Sequence, residues 1–237
     1  MIKTIILLKE SGSLEKRVAL DPKNCERLVK AGFKVIVTPD AGINAYFSNE
    51  AYEAAGAMVE QPSFDEKAII LSINAPTKTI TQKFKSGSLS ISLLDPYHNL
   101  SLVELFAKQG IDALALEFIP RITRAQSMDV LSSQATISGY QSVLIGADLS
   151  PRFFPMLTTA AGTIRPAKVL VIGAGVAGLQ AIATARRLGA QVEAYDIRPD
   201  AKEQVESLGA KLVDTGVNAA GEGGYARELT EEERAQQ

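Results

Sequence analysis

Residues 168–198 limit the possible folds of this chain more than any other stretch: KVLVIGAGVAGLQAIATARRLGAQVEAYDIR. An apolar run, VLVI, gives way to Gly173, Gly175 and Gly178; a helical segment then stops at Gly189, and a second run, QVEAY, ends on Asp196. Strands separated by a helix imply a parallel sheet, so the stretch predicts a βαβ unit. A lone G-x-G-x-x-G says little, but one placed between a strand and a helix is a dinucleotide fingerprint. Gly173 permits the tight turn, Gly175 lets a pyrophosphate approach the backbone, and Gly178 lets the helix pack closely on the strand. The helix N-terminus adds free N–H groups and a positive dipole end. Asp196, 23 residues after Gly173, stands where an acid accepts hydrogen bonds from the adenosine ribose. An acid there repels a 2′-phosphate and favours NAD, whereas Arg198, two residues on, is near enough to hold that phosphate.

The pattern continues with a helix over PDAKEQVESLG and a strand in AKLVD, then a Gly-rich loop, TGVNAAGEGGYARE, and an acidic helical tail, LTEEERAQQ. This completes βαβαβ, the half that holds adenosine and pyrophosphate. The half that normally completes the nicotinamide site is not among the 237 residues, so the second domain is expected to be truncated. The first half of the chain alternates in the same way. TIILLKE, FKVIVTPD, KAIILSI, SLSISLL and IDALALE read as strands. DPKNCERLVKAG reads as a helix with Asp21 as N-cap, Pro22 at its first position and Gly32 beyond its end; SNEAYEAAG, capped by Ser48, and LSLVELFAKQG read as two more. The chain exceeds the roughly 100–200 residues of one domain. The expectation is α/β, with two Rossmann-like parallel-sheet domains, 1–133 and 134–237, flanking a cleft.

RAQSMDVLSSQ, residues 124–134, lies at that junction. Read as one helix, it puts Gln126, Asp129, Ser132 and Ser133 on one face and Met128, Leu131 and Ala135 on the other. The polar face carries hydrogen-bonding groups rather than solubilising Lys and Glu. The bland reading is a solvated face; beside a dinucleotide unit, a helix facing the nicotinamide is the sharper one.

Several classes of function are disfavoured. A net charge of −2 offers no basic excess for nucleic acid. A single cysteine, Cys25, cannot form an internal disulfide and shares a helical face with Leu28 and Val29, which predicts a buried, inert thiol in a reducing compartment. TIILL is too short for a signal sequence, and no run approaches a membrane span, so a membrane role would go through a partner. No spacing suits a metal, a Ser/His/Asp or Cys/His arrangement, or a GxxxxGK[ST] loop. A dehydrogenase acting on an alcohol or amine needs a general base, but the only histidine, His98 in LLDPYHNLS, reads as a loop residue. A hydride acceptor that needs no acid or base, such as another nicotinamide, meets that condition.

RITRAQSMDVLSSQ, FPMLTTAAGTIRPAKVLVIGAGVAGLQAIATARRLGA, YDIRPDAKEQVESLGAK and GGYARE together resemble the NAD(H)-binding α subunits (domain I) of proton-translocating NAD(P) transhydrogenases, in the alanine dehydrogenase/transhydrogenase family. The resemblance runs from Arg17 to the last residue. It implies direct hydride transfer between NAD(H) held here and NADP(H) on a partner domain, coupled to proton translocation through a membrane-embedded subunit. It also implies a homodimer, cytoplasmic and peripheral on the inner membrane through its partners. By the resemblance, Arg121, Gln126, Asp129 and Ser132 contact the nicotinamide end, with Asp129 positioning the ring rather than abstracting a proton. Val176 and Ala177, with the glycines around them, match the pyrophosphate turn, and Asp196, Ile197 and Arg198 match the adenosine contacts. Gly224 and Tyr225 match a loop that folds over NAD(H), and Gln237 a further nucleotide contact. Alanine dehydrogenases carry a substrate-binding lysine where this chain has Asn74, and a histidine near Asp95 or Pro96, leaving His98 out of register. Arg17 alone remains, so amino-acid oxidation is the rival reading, and a non-catalytic NAD-binding module the other.

Overall fold

The computed structural model describes residues 2–12, 14–198, 200–216, 227–228 and 230–236. The chain divides into two compact units, Met1–Asp129 and Val130–Gln237, four residues before the 133/134 boundary expected from the sequence.

In the first unit, the strands β1 (Thr4–Leu7), β2 (Lys34–Val37), β3 (Met58–Val59), β4 (Ala68–Leu71), β5 (Leu89–Ser92) and β6 (Asp112–Ala115) form one six-stranded sheet, ordered β3-β2-β1-β4-β5-β6. All its pairings are parallel. Its central strands are apolar on both faces, as a covered sheet requires. Ile6, Ile36, Ala68 and Ile70 join Phe84, Leu102 and Phe106 in one cluster; Ile5, Leu7, Val35 and Val37 join Leu20, Cys25 and Tyr52 in another. The helices α1 (Pro22–Lys30), α2 (Asn49–Ala54), α3 (Lys78–Thr81) and α4 (Leu100–Gln109) connect the strands. Helix α1 starts as its sequence dictates: the Asp21 carboxylate accepts from the Asn24 N–H at 2.7 Å, and Pro22, with no N–H to satisfy, follows. The Ser48 hydroxyl likewise accepts from the Ala51 N–H before α2.

The second unit holds α5 (Val130–Leu149), a hairpin of β7 (Leu157–Thr159) and β8 (Gly162–Ile164), β9 (Lys168–Ile172), α6 (Val176–Arg187), β10 (Gln191–Tyr195), α7 (Ala201–Ser207), β11 (Lys211–Leu212) and α8 (Glu231–Gln236). Among the described residues its parallel sheet has three strands, in the order β11-β10-β9. This repeats the β3-β2-β1 half of the first unit. Ile182, Ala185, Val192, Ala194 and Val205 form its core, with Val143 of α5 packed among them.

One expectation needs correction. RAQSMDVLSSQ is not one helix: Thr123–Met128 is a 3-10 helix, Asp129 turns out at ψ 91°, and α5 begins at Val130. Aspartate competes with the helix for its own backbone groups and favours boundaries over interiors, which is why the run breaks there. Gln126 therefore does not share a helical face with Ser132. The stretch before β9, which contains Pro151, Pro155 and Pro166, holds the β7–β8 hairpin, whose strands are three residues each.

Candidate functional site

The glycine turn is shaped by local backbone demands. Gly173 has φ +91°, a region that side chains with a Cβ avoid, and its N–H donates to the Tyr195 carbonyl at 2.7 Å. Gly175 caps α6, its carbonyl accepting from the Leu179 N–H at 2.8 Å. A Cβ added at Gly173 or Gly175 would meet no atom within 4 Å, whereas one at Gly178 would sit 1.7 Å from the Gly173 carbonyl oxygen. The outer side of the turn is thus open, and the inner side closes the helix on the strand. Val176 starts α6 and is half-exposed; Ala177 follows, partly buried.

Asp196 follows β10, and its side chain is only 6% exposed. The Ala174 N–H donates to its Oδ2 at 2.7 Å and the Arg198 N–H to its Oδ1 at 2.9 Å. The Arg198 guanidinium bridges both oxygens, Nε to Oδ1 and Nη2 to Oδ2, each at 2.9 Å. Burial raises the carboxyl's pKa, but these hydrogen bonds and the guanidinium charge outweigh it and hold the group below its ordinary range. The hydrogen bonds from Arg198 to Asp196 in turn push the guanidinium's pKa up.

Asp196, Ile197 and Arg198 line a cavity of about 380 Å³ together with Tyr195, Lys202 and Asp214–Gly216. It lies outside the carboxyl ends of β10 and β11, where parallel α/β sheets bind ligands. Lys202, Asp214 and Thr215 did not emerge from the sequence. The position of Asp214 and Thr215 just past a strand end was the available signal. Gly139 of α5 was also missed: a Cβ there would lie 2.1 Å from the Ala177 carbonyl oxygen, so this glycine lets α5 cross α6 at its first turn.

The other candidates are distributed between the two units. Arg121, Gln126 and Asp129 belong to the first, Ser132 to the second. Arg121 and Gln126 are exposed, Asp129 is buried, and Ser132 is half-buried in the first turn of α5. Gly224, Tyr225 and Gln237 lie outside the described residues. His98 is exposed in a turn after β5, with Nδ1 2.8 Å from Asp95 Oδ1. In the first unit, Glu15 takes the Arg17 guanidinium side-on (Nε–Oε1 2.8 Å, Nη2–Oε2 2.7 Å), and the Asn74 amide donates to Glu15 and Glu10. The hydrogen bond from Arg17 is the main reason the Glu15 carboxyl is held down to about 2. Among the described residues no helix is long and apolar enough to cross a membrane.

Known proteins share this arrangement. Residues 6–138 match the profile of the alanine dehydrogenase/PNT N-terminal domain, and residues 142–237 that of the alanine dehydrogenase/PNT C-terminal domain. The first of the parts that make up NAD(P) transhydrogenase subunit alpha in Rhodospirillum rubrum is 43% identical over 245 residues, which cover 98% of this chain and 64% of the relative. The crystal structure of a transhydrogenase from Sinorhizobium meliloti is similar with a TM-score of 0.86 at 46% identity, over 90% of this chain and 64% of that one. An L-alanine dehydrogenase structure follows with a TM-score of 0.77 at 27% identity, over 90% of this chain and 61% of that one. The chain thus spans a little under two thirds of the length of these proteins. With both profiles matched in order along the chain, it belongs to the alanine dehydrogenase/PNT family.

Proposed function

We propose that this chain is the NAD(H)-binding part of a proton-translocating NAD(P) transhydrogenase α subunit. The observation that carries this reading is the open glycine turn of α6 set beside a fixed carboxylate at the end of β10. Gly173, Gly175 and the N–H groups at Val176 and Ala177 would hold the pyrophosphate against the positive end of α6, a helix of 12 residues. Asp196 would accept from the adenosine ribose, with Ile197 and Arg198 at its rim. Arg121, Gln126, Asp129 and Ser132 would orient the nicotinamide, their amide, hydroxyl and carboxylate groups serving as hydrogen-bonding positioners. Gly224, Tyr225 and Gln237 would complete the nucleotide contacts.

When bound, the nicotinamide supplies the hydride chemistry, exchanged directly with NADP(H) on a partner domain. Such an exchange needs no protein acid or base at the reacting carbon. The partners are that NADP(H)-binding domain, a membrane-embedded proton-channel subunit and a second copy of this subunit, placing it on the cytoplasmic face of the inner membrane. The first unit favours this over amino-acid oxidation. Asn74, where the rival reading needs a substrate-binding lysine, brings no charge, and its amide donates to Glu15 and Glu10.

The test mixes the chain with the NADP(H)-binding partner and follows reduction of an NAD analogue by NADPH. Transfer above background supports the reading. Alanine-dependent NAD reduction without transfer replaces it with an amino-acid dehydrogenase, and tight NADH binding with neither activity replaces it with a binding module.

A further inference from the structure

A carboxylate offers about four lone-pair positions, and Asp196 has at least four hydrogen bonds on its two oxygens. Two come from backbone N–H groups, Ala174 on Oδ2 and Arg198 on Oδ1, and fix the carboxylate in place. The other two come from the Arg198 guanidinium, one to each oxygen. A ribose presents two adjacent hydroxyls, and a carboxylate receives such a pair with one acceptor position on each oxygen. The guanidinium likewise takes one acceptor position on each oxygen. Arg198 is 28% exposed and lines the cavity past β10, and the two backbone bonds hold the carboxylate independently of its guanidinium.

We propose that Arg198 is a specificity-determining latch. Its guanidinium occupies the ribose diol's place on Asp196 until a nucleotide displaces it, and the displaced cation then faces the ribose 2′ position. The preference between NAD(H) and NADP(H) is thereby set by the Asp196–Arg198 pair rather than by Asp196 alone. The carboxylate repels a 2′-phosphate, and the released guanidinium attracts it. Lys202 and Asp214 line the same cavity, and Asp200 acts on Arg198 through its charge; these groups stay constant when only Arg198 is changed. The proposal rests on the reading that this cavity takes the adenosine of NAD(H).

The experiment titrates 5′-AMP and adenosine 2′,5′-bisphosphate, which engage only the adenosine end, into the wild-type chain and into Arg198→Ala and Arg198→Lys. The thermal transition of each variant checks its fold. With no latch to open, Arg198→Ala is expected to bind 5′-AMP about two- to fivefold more tightly, the range of a partly exposed ion pair. Its preference for 5′-AMP over the bisphosphate is expected to rise about tenfold or more, as charge-assisted contacts to the 2′-phosphate are lost. Arg198→Lys keeps the cation but cannot bridge both oxygens, so it should tighten 5′-AMP while holding bisphosphate affinity near wild type. Weaker 5′-AMP binding by Arg198→Ala, an unmoved preference, or a lysine variant that loses the bisphosphate as alanine does each overturns the proposal. A wild-type chain that binds neither 5′-AMP nor NADH removes the adenosine reading, and the proposal with it.

Discussion

Gly139→Ala tests whether the crossing of α5 over α6 sets the position of the nucleotide turn. The added Cβ would lie 2.1 Å from the Ala177 carbonyl oxygen and 2.9 Å from its carbonyl carbon, both backbone atoms that cannot rotate away. Either helix must retreat by roughly 1 Å to reach the 3.0 Å below which such contacts are essentially never found. Overpacking of this kind costs about 1–3 kcal/mol. Replacing glycine by alanine in a helix returns up to about 1 kcal/mol through propensity. The net expectation is a loss of about 1–2 kcal/mol, which lowers the melting temperature of a unit of this size by on the order of 5–10 °C. Because Ala177 lies in the first turn of α6, the same shift should weaken NADH binding. Gly146→Ala is the internal control: it lies on the same helix, and its Cβ would meet nothing within 4 Å. That variant should gain about 0.5–1 kcal/mol and bind NADH unchanged. Thermal denaturation and NADH titration of both variants decide the matter. If both are stabilised alike, the close crossing is not a constraint and the reasoning fails.

Asp196→Asn should weaken NADH binding by about 1–3 kcal/mol, the scale of lost charge-assisted hydrogen bonds; unchanged affinity by titration refutes its ribose role. The Glu15 carboxyl, ordinarily near 4.5 and held down to about 2 in the folded chain, contributes stability that is full above about 4.5 and is lost as pH falls from there towards 2. Glu15→Gln should flatten denaturant stability across that window, and an undiminished acid slope would show that Glu15 is not its source. Cys25 is fully buried, and burial pushes its thiol's pKa up, so a thiol reagent around pH 8 should label the native chain only as fast as it unfolds. Rapid labelling without unfolding contradicts that burial.

The features legible in the sequence are those decided within a few residues. The φ of Gly173, the capping of α1 by Asp21 and of α2 by Ser48, and the exposed turn position of His98 each follow from local backbone or side-chain chemistry. The parallel sheets were legible because apolar runs separated by helical segments leave no other pairing. RAQSMDVLSSQ misled because helical periodicity places residues on faces without showing where a helix stops. A polar residue such as Asp129 fits a helix face and a helix boundary equally well on pattern alone.

By itself, the sequence determined the fold class, the glycine turn and the placement of an acid at the end of the second strand of the fingerprint. Glycine spacing and apolar period express backbone constraints that hold in any environment. Only the tertiary structure decided that Gly139 must be glycine, since its constraint is a carbonyl on another helix, and that Asn74 joins Glu10 and Glu15 from far along the chain. It also decided what Arg198 touches. The folded turn brings the Ala174 N–H onto Asp196 and aims the carboxylate so that the guanidinium closes on both its oxygens. Which donor fills which lone pair depends on atoms positioned by packing, and no spacing along the chain encodes that.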